Sequence, residues 1–165
     1  MKKLSMIIAL LAIGLTAQIG LAQTQKEKDR ASFISNTKLL ERKPLDPNAD
    51  IARQWGFKWV ADTDEVSVVL CSDTMKLIPE KKNKFKSELL MQFTFGMAVF
   101  KLEHPDKKDD ENAAQLAGIE SMLRAYEVMI AENDKAKNVE LDGLLVKRNN
   151  NELKGLVEAA KCEKK

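Results

Sequence analysis

The chain has 165 residues, 27 of them basic and 25 acidic, with 44% hydrophobic side chains. That near-balance gives no general attraction for nucleic acid or anionic lipid, and the length is that of one domain able to bury a core without metals. Several hydrolytic and metal motifs are missing: there is no H-E-x-x-H, G-x-S-x-G or P-loop, and there is a single histidine, His104.

The chain opens on Met1-Lys2-Lys3, followed by an apolar run from Leu4 to Leu21 and a small-residue exit at Gly20-Leu21-Ala22, before Gln23. These are the three parts of a secretory signal peptide, predicted over residues 1–22, with small residues at −3 and −1 of the cut. Gln23 is not cysteine, so lipid attachment is not expected. An uncleaved anchor is the alternative, weakened by Thr16, Gln18 and two glycines. Cleavage removes Lys2 and Lys3 and no acid, which leaves residues 23–165 formally neutral. The expected location is the bacterial periplasm or exterior, with no membrane span after cleavage.

Residues 25–42 read as a first helix, with Phe33, Thr37 and Leu40 near one face. The turn Lys43-Pro44-Leu45-Asp46-Pro47 follows, and Asp46 is a candidate N-cap with Pro47 at the first helical position. The second helix runs to about Ala61 and carries Ile51, Trp55 and Trp59 at i, i+4, i+8. Residues 64–72 are β-branched but lack a partner strand; a connector or short helix that delivers Cys71 to the core is expected. The strongest element is Phe85–Glu103, apolar nearly all round and therefore buried by its neighbours. Its apolar core is too short for a bilayer. Gly96 costs helix propensity and points to close backbone packing. After His104-Pro105 and an acidic loop, a helix over about Glu111–Asn133 has the stripe Leu116, Ile119, Leu123, Tyr126, Ile130. Shorter helices are expected over about Asn138–Arg148 and Glu152–Lys161. The predicted fold is an all-α, single-domain antiparallel bundle of five or six helices over residues 23–165.

Export and an even cysteine count favour a Cys71–Cys162 disulfide. It would close a loop of roughly 90 residues, worth about 4–5 kcal/mol in the chain-entropy model. A redox pair is the alternative, although neither cysteine lies in C-x-x-C. His104 ends a helix, where it suits the dipole as a cap. The run Asp106-Lys107-Lys108-Asp109-Asp110-Glu111 lacks the spacing and central glycine of a calcium loop, and its last acids suit a helix cap. The basic run Lys81–Lys86 reads as a solvated helix entrance. Met75, Met91, Met97, Met122 and Met129 read as packing rather than a copper site. No metal or other cofactor is expected. Trp55 and Trp59 form either an anchor for the second helix or the lining of a groove, with Tyr126 as a wall.

The segment Phe93-Thr-Phe-Gly-Met-Ala-Val-Phe-Lys-Leu-Glu-His-Pro105, with Glu111-Asn-Ala-Ala-Gln-Leu-Ala-Gly-Ile-Glu-Ser-Met-Leu-Arg-Ala-Tyr126, resembles a family of small exported bacterial proteins of unassigned function. The resemblance implies no catalytic residues. Ala125-Tyr126-Glu127 resembles a phrase of tetratricopeptide-type hairpins, whose pattern does not recur here at the expected period.

The expected role is a non-enzymatic helical protein that binds an envelope or secreted protein or peptide. Alternatives are an immunity protein against a toxin, a carboxylate enzyme using Glu120 or Glu127, and a small-ligand carrier.

Overall fold

The computed structural model describes residues 25–78, 83–160 and 162. The expected signal peptide, Pro79 and part of the basic run (Lys81, Lys82) lie outside the described residues. The described residues divide between Ile34 and Ser35 into two units. In the first, the described residues 25–34 are helical with Phe33 buried. Among the described residues there are seven α-helices and no strand: α1 (25–42), α2 (Ala49–Asp62), α3 (Ser72–Met75), α4 (Lys86–Glu103), α5 (Glu111–Glu132), α6 (Val139–Asn149) and α7 (Leu153–Ala159). One helix beyond the expected five or six is α3, a single turn after the connector. Residues 64–71 themselves are irregular, as their missing partner strand requires.

The antiparallel hairpin of α4 and α5 organises the second unit. Gln92 bonds Ser121 and Lys101 bonds Glu111, so position numbers fall along one helix as they rise along the other. The two backbones approach closely because each helix places a glycine at the crossing. A Cβ on Gly118 would lie 2.7 Å from the Phe93 carbonyl oxygen, and one on Gly96 would lie 2.5 Å from Ser121 Cβ. Propensity lost at these glycines is offset by the contact they permit.

Around that seam Leu89, Phe93, Met97, Ile119, Met122, Leu123, Tyr126 and Met129 are all but inaccessible, and Leu141, Leu144, Leu153 and Val157 close the cluster from α6 and α7. Of the stripe read from sequence on α5, Ile119, Leu123 and Tyr126 are core, and Leu116 and Ile130 pack against it partly buried. Met97, Met122 and Met129 fill it, while Met75 and Met91 are half-buried.

Helix ends follow local chemistry. Asp110 caps α5, its side chain accepting from Ala113 N at 2.9 Å. Asn138 caps α6, accepting from Glu140 N and Leu141 N. At α2 the start is displaced from the Asp46–Pro47 expectation. Asp46 Oδ1 accepts instead from Asn48 N at 2.8 Å, closing a turn, and the helix begins at Ala49. The two prolines already occupy the turn, so the side chain of Asp46 satisfies a turn amide and not a helical one.

The expected disulfide is not formed. Cys71 and Cys162 are free thiols, 2.9 Å apart and unbonded, whereas a disulfide holds its sulfurs at about 2.05 Å. The connector is fixed by other means. Lys101 Nζ donates to Ser67 O (3.0 Å), Gln115 Nε2 to Val69 O (2.6 Å), and Thr74 Oγ1 to Gln115 Oε1 (2.6 Å).

Candidate functional site

The helix α2 packs by an unusual side. Its buried residues are Ala49, Arg53 and Gly56, a small and polar row. The Arg53 guanidinium donates to the Pro44 carbonyl and to Asp50 Oδ1, which satisfies it under the turn. The large apolar side chains therefore face elsewhere. At 100° per residue Ile51 and Trp55 lie well away from the buried row, while Trp59 and Phe57 border it on opposite sides. Ile51 is 68% exposed and Phe57 62% exposed, with Trp55 and Trp59 half-buried. Beyond the helix, an open groove of about 330 Å³ runs between its last turn and the connector, lined by Val60, Ala61, Val66, Val68, Leu70 and Thr94 among others. Leu70 is itself 48% exposed.

Tyr126 stands apart from this surface. It belongs to the buried cluster, of which neither tryptophan is a member. Its hydroxyl donates to Asp142 Oδ1 (2.7 Å) and accepts from Asn138 N (2.8 Å), tying α5 to the start of α6. Burial and then the Asp142 hydrogen bond push the phenol up to about 12. A tyrosine so placed holds two helices together and offers no face to a ligand.

The other titratable candidates are engaged structurally. His104 stacks on Phe100 with ring centroids 4.7 Å apart, and its Nδ1 lies 3.0 Å from the Phe100 carbonyl at the end of α4. Glu127 is exposed and held by Arg148 through two contacts of 2.6 and 2.8 Å, which lower its carboxyl below the ordinary range. That direction is opposite to what a general acid needs. Glu120 lines a shallow groove of about 140 Å³ with Lys38, Glu41 and Arg124. Among the described residues no three His, Cys, Asp or Glu side chains are grouped as a metal site requires. No helix among them is long and apolar enough to cross a membrane.

Two polar constellations were not read from the sequence. In the first, Gln92 donates to the Thr37 carbonyl and to Ser121 Oγ, Ser121 donates to Glu41 Oε1, and Arg124 clasps Glu41 through two bonds of 2.8 Å. In the second, Lys101 and Glu111, each side chain 5% exposed, pair at 2.8 and 2.9 Å. A lysine near the end of the mostly apolar α4 was the visible signal. Its partner lies across a hairpin, which spacing alone does not reveal.

Cys71 and Cys162 sit beside this second cluster. Both are half-buried. The Cys71 thiol also points to the Ala160 carbonyl at 4.0 Å. Burial works to raise the Cys71 thiol, but hydrogen bonds from Cys162, Thr74 and the Asp73 backbone together outweigh it and leave it lowered. Burial pushes the Cys162 thiol up, reinforced by Cys71 and Glu111 against Lys101, to about 12.

No family model matches the chain, no curated protein matches it, and no solved structure matches it.

Proposed function

We propose that this chain, exported to the bacterial periplasm or exterior with residues 1–22 removed, is a non-enzymatic helical protein that binds the apolar face of another protein or peptide through α2. Membership in a group of small exported bacterial helical proteins belongs to the same proposal. One observation carries it: α2 buries Ala49, Arg53 and Gly56 while leaving Ile51 and Phe57 more than half exposed. Burying the exposed apolar side chains of α2 would stabilise a complex by roughly 25 cal/mol per Å² of area removed from water, and aromatic residues are enriched at the centres of such contacts. The groove beside Val60 and Leu70 gives an incoming side chain a place to seat.

The test places a photo-crosslinking residue at position 51 or 57, with position 158 on α7 as control, in cells producing the full chain. A specific adduct from 51 and 57, absent from 158 and lost in Ile51→Ser/Phe57→Ser, is the expected result. Equal yields from all three positions would remove the reading.

A further inference from the structure

Independently of α2, the connector brings Cys71 into contact with Cys162. Cys71 and Cys162 lie 2.9 Å apart, yet 91 positions separate them in the chain (71 to 162). Cys71 is half-buried, and its neighbours Leu70, Ser72 and Asp73 are exposed. The connector does not need a covalent link to stay in place. Thr74, Gln115 and Lys101 already hold it by buried hydrogen bonds. A bond between the sulfurs can therefore be made and broken without dismantling the fold.

We propose that Cys71 and Cys162 form a thiol–disulfide exchange site whose substrate is the disulfide of a second molecule, with Cys71 as the attacking sulfur and Cys162 as the resolving one. The Cys71 thiolate attacks one sulfur of the incoming disulfide. That bond breaks, a mixed disulfide forms on Cys71, and the departing thiolate takes up the proton that Cys71 released. Cys162 then loses its proton and attacks Cys71 Sγ, expelling the second thiolate, which that proton neutralises. Two thiols of this chain become one disulfide, and the incoming disulfide becomes two thiols. No other oxidant enters.

The division of roles follows from the surroundings. Cys71 receives hydrogen bonds that stabilise its thiolate, and Lys76 lies within electrostatic reach of it. Burial keeps the proton on Cys162, reinforced by Cys71 and then Glu111, with Lys101 opposing. The thiol with more thiolate at neutral pH is the faster nucleophile.

The reduced full chain is incubated with glutathione disulfide, quenched in acid and mapped by mass spectrometry. In the wild type a Cys71–Cys162 link accumulates. Cys162→Ser retains glutathione on Cys71, whereas Cys71→Ser acquires it on Cys162 about ten-fold more slowly. Excess reduced glutathione reopens the wild-type link with helical circular dichroism unchanged. Equal rates at the two cysteines, failure of the wild type to form the link, or a link that resists reduced glutathione would each overturn the proposal.

Discussion

The helices α5 and α2 both carry large apolar side chains at helical spacing, and they use them in opposite ways. On α5 the row Ile119, Leu123, Tyr126 turns inward and loses essentially all exposure, because Gly118 lets α4 approach within backbone contact. On α2 the side that approaches the bundle is Ala49, Arg53 and Gly56, and the large residues are left on the flanks. Amphipathic pattern alone does not decide which face is covered. The face bearing the small residues sets how near a neighbour comes, and a buried cation fixed by a turn carbonyl can claim the inward position.

The sharpest break of this contrast is at the buried pair of the hairpin. Lys101→Met leaves the Glu111 carboxylate buried without its cation and is expected to cost about 3–5 kcal/mol, read by chemical denaturation. The double variant Lys101→Met/Glu111→Leu should recover most of that loss. Next comes matched truncation: Leu123→Ala is expected to cost about 3 kcal/mol and Phe57→Ala no more than about 0.5 kcal/mol. Comparable losses at the two positions would show that α2 is covered after all. Gly118→Ala sets a Cβ against the Phe93 carbonyl, and about 2 kcal/mol is expected from the displacement of α4. Smaller still is Tyr126→Phe, at about 1–2 kcal/mol, since Asp142 and the Asn138 amide lose a shared partner.

Tyr126 also gives a pH test. Its folded pKa, about 12, exceeds the ordinary 10.0, so the folded state holds the phenol proton more tightly than the unfolded chain does. Its contribution is complete below pH 10 and is lost as pH rises toward 12. Alkaline unfolding of Tyr126→Phe should accordingly be less steep across that interval than that of the wild type.

Much of the architecture was legible in advance. Bounds of α1, α4, α5 and α6 fall within one or two residues of their periodic patterns, and Gly96 announced a close crossing. The candidate surface was legible in part. Trp55 and Trp59 were singled out on spacing, but Ile51 and Phe57 are the exposed members, and Tyr126 belongs to the core. Burial on α2 depends on which face meets α4, and that choice involves Arg53 and the Pro44 carbonyl. Likewise the Gln92–Ser121–Glu41–Arg124 network joins three helices, and hydropathy marks only that its members are polar.

By itself the sequence determined the helical content, the positions of the breaks and the central place of α4 and α5, because period, caps and prolines act over a few residues. Only the tertiary structure decided which side of α2 is covered, which charges are buried together and how Cys71 meets Cys162 as a thiol. Those outcomes depend on contacts between distant segments, whose geometry no local pattern encodes.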